Sequence, residues 1–379
     1  MIPSGSNAET MQPDEDSVAT EKLVSTWGVE LIGMVCERCD WSYLLPATAP
    51  QGVCPHCFQS TPTPITEQID QLPYIKPPEL VLPFTFPENA LSHGLLNFIS
   101  GIPFAPIDMG SQNLQHRLNR MYLPMWLVDA EVKASWKAEA GFNYQVVSHQ
   151  DRYDQNHGGW SSREIEEGRI RWEPRLGRLK RAYKNISAPA LEEHRQMKSA
   201  LGDYDLSNSV TYSPEQIDAS FVRLPNRTPQ DAWTDAKSLF QISAAEECRQ
   251  AARSDHIRQF SWQPEFLNQN WTLLLLPVHT TFYLDDEGKP QVLLINGQTG
   301  RISGTRRASL KQGQRAALTV LVVAVIIFLL SLLVSAASLL LPVLLSIGVL
   351  GLVVALVVGL GSIIPIATVW WFNQSQPPG

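Results

Sequence analysis

Residues 316–372 contain no Asp, Glu, Lys, Arg or His, and everything before them has to be placed relative to a membrane. A straight helix over that run would reach about 85 Å at roughly 1.5 Å per residue, against a hydrocarbon core about 30 Å thick. The run therefore has to fold back on itself. Ser335, Ala336, Ala337, Ser338 and Pro342 interrupt a pattern of Leu, Val and Ile, which predicts two transmembrane helices joined by a tight turn between positions 335 and 346. Backbone groups cannot stay unpaired in lipid, so each arm is expected to be helical.

Orientation follows from the flank. Arg301, Arg306, Arg307, Lys311 and Arg315 precede the first arm with no acid among them, and basic residues close to a span stay on the cytoplasmic side. The expectation is a two-pass protein of the cytoplasmic (inner) membrane, with the soluble part and both termini cytoplasmic and with Trp370 and Trp371 as interfacial anchors. An ion or proton path normally needs an ionisable group at depth, and the arms carry none. Gly351, Ala355 and Gly359 recur every fourth residue and predict a flat ridge. It either packs on the first arm near Ser331 and Ser335 or joins a second copy as an oligomer.

The second strong feature is Cys36-Glu37-Arg38-Cys39 followed by Cys54-Pro55-His56-Cys57, with fourteen residues between the inner cysteines. That spacing matches a zinc ribbon, in which two turns each present a pair of thiolates to one tetrahedral ion. Four soft thiolates complete the coordination sphere of Zn²⁺ and leave no place for water or substrate, so the expected role is structural. A cytoplasmic compartment disfavours disulfides, and paired knuckles disfavour a lone redox dithiol. His56 lies inside a knuckle and is expected at the surface.

Around these features the chain divides as follows. Residues 1–28 read as a disordered acidic leader and residues 29–60 as the zinc ribbon. Residues 61–80 form a Pro-rich linker that holds the ribbon off as a separate head. Residues 81–307 form a cytoplasmic, mixed α+β domain with an antiparallel sheet. A basic juxtamembrane segment (308–315), the two transmembrane helices (316–372) and a short cytoplasmic tail (373–379) complete the chain. Within the α+β domain, short helices are expected over 88–99 and 111–120. Trp126, Val128, Ala130, Val132, Ala134, Trp136 and Ala138 fall on one face of an extended chain and Asp129, Glu131, Lys133, Ser135, Lys137 and Glu139 on the other, the mark of a strand with one wet face. Residues 145–162, polar and glycine-punctuated, read as a loop. Thr228-Pro229-Gln230-Asp231 starts a helix with an apolar stripe through Trp233, Ala236, Phe240, Ala244, Cys248 and Ala251. A β-meander over 271–302 then leads to the membrane.

The net charge of −7 argues against a generally basic nucleic-acid binder. One segment is locally basic: Arg169, Arg171, Arg175, Arg178, Lys180, Arg181 and Lys184, interleaved with Trp172 and Tyr183 and opposed only by Glu173. It suits a solvated strand face, contact with anionic lipid headgroups, or a nucleic-acid backbone.

The paired knuckles, Tyr122-Leu123-Pro124-Met125-Trp126-Leu127, Leu275-Leu276-Pro277-Val278, the run from Val292 to Gly300 and the terminal hairpin together resemble a prokaryotic family of membrane-anchored zinc-ribbon proteins. Members are often labelled primosomal replication protein or superfamily II helicase. The family carries an aromatic residue where this chain has His279. The resemblance implies a membrane anchor working beside envelope-stress systems of the phage-shock-protein-A type. The helicase label has no support here, because the sequence holds no Gly-x-x-x-x-Gly-Lys-Ser/Thr loop. Nor does it hold a Gly-x-Ser-x-Gly elbow or a His-Glu-x-x-His pair. The sequence therefore points to a non-enzymatic adaptor or scaffold that binds a protein partner. The alternative is a membrane-tethered nucleic-acid binder using the ribbon and the 169–184 segment.

Overall fold

The computed structural model describes residues 26–49, 52–65, 74–154, 159–337 and 343–376. Over these the protein is mixed α+β: its strands join a sheet, four cysteines gather near the N-terminus, and two long apolar helices lie at the C-terminus. The described strands are β1 (Leu31–Val35), β2 (Ser42–Pro46), β3 (Thr63–Pro64), β4 (Leu80–Val81), β5 (Asn119–Asp154), β6 (Gly159–Pro189), β7 (Val210–Thr211), β8 (Phe221–Arg223), β9 (His256–Leu284), β10 (Pro290–Asn296) and β11 (Ile302–Gly304). The helices are α1 (Glu88–Ser100), α2 (Ser111–His116), α3 (His194–Leu201), α4 (Pro229–Ala251), α5 (Leu310–Ala337), α6 (Leu344–Gly361) and α7 (Ile364–Ser375). The chain forms two compact units, one from residues 1–124, 193–224 and 275–379 and the other from 125–192 and 225–274.

In the first unit the cysteine-bearing hairpin is not a separate head. β1 and β2 pair antiparallel, β2 pairs with β8 through Tyr43↔Arg223 and Leu44↔Val222, and β8 runs parallel to the start of β5. Trp27, Leu31 and Leu44 share one buried cluster with Val81, Tyr122, Val222 and Leu275. The expectation of an independent ribbon fails because β2 pairs with β8 and the ribbon's apolar face packs against Val81, Tyr122, Val222 and Leu275. Residues 1–25 and 66–73 of the expected leader and linker lie outside the described residues. Trp27, at the end of that leader, is a core residue whose Nε1 donates to the Ile75 carbonyl at 2.7 Å.

A second cluster in the same unit ties the sheet to the apolar helices. α1 follows Pro87, whose carbonyl accepts from Leu91 N at 3.1 Å, and its stripe of Leu91, Leu95 and Phe98 is buried with Tyr283, Leu293 and Ile295. Ala308, just before α5, and Val369, within α7, belong to this cluster, and Phe372 packs on it. Each fully buried Leu or Phe side chain stabilises the fold by roughly 1.5–3 kcal/mol. α2 is shorter than expected: it stops at His116, and by Asn119 the chain has entered β5. Arg117 instead turns its guanidinium onto Asp108, with Nη2 donating to Oδ1 at 2.8 Å.

α5 and the α6–α7 pair run antiparallel, and both stretches are long and apolar enough to cross a membrane. Residues 338–342, where the turn was expected, lie outside the described residues. The small residues of the ridge face α5: a Cβ on Gly351 would collide with Ser331 Oγ, and one on Gly359 would lie 3.8 Å from Ala324 Cβ. A Cβ on Gly313 would lie 2.9 Å from Val369. Trp370 and Trp371 are exposed.

In the second unit Trp126, Val128, Ala130, Val132, Ala134 and Ala138 of β5 are buried, and from Ala130 they alternate with exposed Glu131, Lys133, Ser135 and Lys137 as the pattern predicts; Trp136 is only half-buried, and Leu127, before the register shift at Val128/Ala130, is buried as well. α4 begins with a reciprocal box, in which Asp231 N donates to Thr228 Oγ1 at 3.3 Å and Thr228 N to Asp231 Oδ2 at 3.0 Å. It buries Ala236, Phe240, Ala244 and Cys248, with Phe240 edge-on to Tyr183 at 5.7 Å. Cys248 is a packing residue. The loop expected over 145–162 is instead a continuation of β5 and β6, paired from Gln145↔Gly168 to Asp154↔Gly159, and positions 155–158 lie outside the described residues. A polar two-stranded ribbon can satisfy its backbone without burying either face, so it shows no alternation to read.

Candidate metal centre

The two cysteine pairs fold as matching knuckles. In the first, Cys39 N and Asp40 N both turn back to the Cys36 carbonyl, at 3.3 and 2.8 Å, and Asp40 takes a φ of 57°. In the second, Phe58 N turns back to the Cys54 carbonyl at 3.0 Å, and Phe58 takes a φ of 52°. Each turn aims two sulfurs at the same point.

All four Sγ atoms lie within 4.8 Å of one another. Cys36 and Cys57 are 3.6 Å apart and Cys39 and Cys54 are 3.7 Å apart. A tetrahedron of thiolates around an ion at about 2.3 Å has edges of about 3.8 Å, whereas a disulfide needs about 2.05 Å. The donor set therefore fits one four-coordinate ion, with Cys36, Cys39, Cys54 and Cys57 as its ligands. Such a site holds two peptide turns together and offers no fifth position for chemistry.

The surroundings favour thiolates at some positions and resist them at others. Burial pushes the Cys36 thiol up, but hydrogen bonding by Ser60 and by the Arg38 and Cys39 backbones outweighs it and brings the group down to about 6. Ser60 Oγ lies 3.1 Å from Cys36 Sγ. Burial raises Cys39 and Cys54, and Tyr43 OH reaches Cys54 Sγ at 3.4 Å. Four thiolates around a divalent cation leave two negative charges, and a positive residue is built in beside them. Arg223 on β8 is only 4% exposed, donates from Nη1 to the Ser42 carbonyl at 3.0 Å, and lies over Trp41 at 4.7 Å. His56 is not the surface residue expected: its ring stacks on Trp41 at 3.7 Å, and burial lowers its basicity to about 4.

Tyr43, Ser60 and Arg223 escaped the sequence reading. Ser60 sits close enough to Cys57 to be suspected. Arg223 is brought in by strand pairing with Tyr43, far back along the sequence, and no local signal marks it.

The basic segment lies on β6 in the second unit and divides by parity. Arg169, Arg171, Arg175 and Arg181 pair across to Tyr144, Phe142, Ala138 and Val132 and so share one face. Acids meet them there: Glu167 for Arg169 at 3.1 Å, Glu173 for Arg171 and Arg175 at 3.0 and 2.6 Å, and Glu247 for Arg181 at 3.0 Å. Arg178 and Lys180 pair with Ser135 and Lys133 on the opposite face. Among the described residues Arg178, Lys180 and Lys184 make no ion pair. Trp172 is covered by Arg258 at 3.9 Å, and Tyr183 is buried, so neither offers a free ring for a base. No family model, curated protein or solved structure matches this chain.

Proposed function

We propose that this protein is a non-enzymatic, membrane-anchored zinc-ribbon adaptor that holds a protein partner at the cytoplasmic face of the membrane. The observation that carries this reading is the closed thiolate set: four sulfurs at tetrahedral spacing, backed by Tyr43 and Ser60, form a brace rather than a reaction centre. The cluster of α1 with Ala308 and Val369 supports a second element of the reading. It would couple the head to the anchor through packed side chains instead of a slack tether. The basic flank from Arg301 to Arg315 supports the cytoplasmic placement, and the family resemblance points to envelope stress as the setting.

The test is purification of the full chain from native membranes in mild detergent, with nuclease treatment and a salt wash. A stoichiometric protein that stays bound is the expected result. A chain that emerges with no protein attached, from cells grown with and without envelope stress, would overturn the adaptor.

One observation favours a second reading. Lys133 and Lys180 sit directly opposite each other beside Arg178, and like charges in that register are destabilising until an anion meets them. A nucleic-acid backbone is one such anion. Binding to single-stranded DNA or RNA that weakens steeply with salt, and that is lost in Lys133→Gln/Arg178→Gln/Lys180→Gln, would support it.

A further inference from the structure

Where the β9–β10 turn, the turn at residues 107–109 and the start of α5 come together in the first unit, they line an open cleft of about 320 Å³, at the small end of the size range of small-ligand sites. Its charged lining is Asp108, Asp285, Asp286, Lys311 and Arg315. Asp108 is already spent. Its carboxylate takes both Arg117 Nη atoms, at 2.5 and 2.8 Å, and Leu284 N at 2.7 Å. That leaves two acids and two bases around one space.

The start of α5 is itself closed, because Asp286 accepts from Ser309 Oγ at 2.5 Å and from Lys311 N at 3.0 Å. A carboxylate has about four acceptor positions, so Asp286 keeps about two of them. Asp285 accepts from Glu287 N and Lys289 N, both at 2.9 Å, and from Gln291 Nε2 at 2.8 Å; all three donors are neutral, so about one acceptor position remains and its charge, unlike that of Asp108, is unpaired among the described residues. On the basic side, Lys311 Nζ donates to the Asp286 carbonyl, which leaves its charge unmatched by a carboxylate. Arg315 makes no ion pair among the described residues. Ile107, exposed at 71%, adds an apolar wall. Among the described residues no aromatic ring lines the cleft.

We propose that this cleft binds the headgroup of a phospholipid carrying both a phosphate and a primary ammonium. Lys311 and Arg315 meet the phosphate, and Asp285 and Asp286 accept from the ammonium. The proposal rests on the membrane-anchor reading: Arg315 is the last charged residue before the uncharged run, which places the cleft at headgroup depth. The chemistry selects among headgroups. A quaternary ammonium has no N–H to give and is normally held by aromatic faces, which this lining lacks. A glycerol headgroup brings a net negative charge and only neutral hydroxyls, with no cation to balance the two acids.

The test uses the full chain in detergent micelles, loaded with phosphatidylethanolamine, phosphatidylcholine or phosphatidylglycerol of identical acyl chains and read by native mass spectrometry. One phosphatidylethanolamine should stay bound under conditions that strip the other two. Arg315→Gln alone, and Lys311→Gln/Arg315→Gln together, should lower its occupancy about tenfold or more while both variants still float with reconstituted vesicles. Equal retention of the three lipids, or unchanged retention by the double variant, would mean annular lipid only and overturn the site. Competition by phosphoethanolamine without acyl chains, as strong as by the lipid, would overturn the lipid as its source. A wild-type chain that does not float with vesicles would overturn the anchor instead. If phosphoethanolamine then also leaves the NMR spectrum of that non-floating full chain unchanged, the cleft is overturned as well.

Discussion

Asn373 and Ala308 exchange two hydrogen bonds: Ala308 N donates to Asn373 Oδ1 at 2.8 Å, and Asn373 Nδ2 donates to the Ala308 carbonyl at 3.0 Å. The side chain acts as a strand edge for a single residue. It joins the end of α7 to the segment that leads into α5, so the helical hairpin is tied at its base. Ala308 is buried, and its amide and carbonyl have little water to fall back on.

Removing that tie leaves two buried backbone groups unpaired. Asn373→Ala should lower the unfolding free energy of the detergent-solubilised chain by about 1–3 kcal/mol. Gln374→Ala, one residue on, should leave it unchanged. Thermal unfolding of the two variants side by side checks both expectations.

Gly351 meets Ser331 with no room for a side chain. Gly351→Leu should force α5 and α6 apart and destabilise the hairpin by roughly 1–3 kcal/mol or more. Gly361→Leu should be tolerated, since nothing lies within 4 Å of a Cβ there. Protease resistance of the reconstituted variants separates the two cases.

His279 is 5% exposed, and burial, aided by the nearby Arg120 charge, lowers its basicity from 6.5 to about 4. The unfolded chain therefore binds more protons than the folded one between about pH 6.5 and pH 4. The stability that neutral His279 contributes is complete above pH 6.5 and is lost as pH falls toward 4, by up to about 3 kcal/mol. His279→Phe keeps a ring against Phe84, which the histidine now meets at 4.6 Å. It should remove the His279 share of the slope across that window and leave the share of His56, whose basicity burial also lowers to about 4. Denaturant titrations at pH 4, 5, 6 and 7 measure the slope.

Arg223 touches no sulfur in the hydrogen bonds described, so its effect on the metal would come through charge and through holding Trp41 and Ser42. Arg223→Met should weaken metal retention about 10–100-fold against a competing chelator, while Arg223→Lys should recover part of the loss. A purely packing role would give equal metal affinities for the wild-type chain and both variants.

What could be read from the sequence was what rests on neighbours in the chain. The two Cys-x-x-Cys turns, the Thr228 cap with its stripe on α4 and the uncharged run all declare themselves within a few turns of chain. The joining of β2 to β8 does not, since Tyr43 and Arg223 meet only after the sheet has formed. Trp27 reads as part of an acidic leader because its partners are far along the sequence: Ile75, whose carbonyl takes its Nε1, and Tyr212, whose OH donates to its carbonyl at 3.0 Å. The basic segment sits between these cases. Its odd and even members face opposite ways, and that parity was visible once the segment was known to be a strand. The glutamates that neutralise one face include Glu247 on α4, which only the fold brings near.

The central claim is that Cys36, Cys39, Cys54 and Cys57 close around a structural ion, and elemental analysis of the full chain purified under reducing conditions tests it most directly. About one zinc per chain is expected for the wild-type protein, with loss of that equivalent in Cys36→Ser or Cys54→Ser and loosening of the β1–β2 hairpin in hydrogen exchange. A folded wild-type chain carrying no metal, or a Cys36→Ser chain that keeps its zinc, would contradict it.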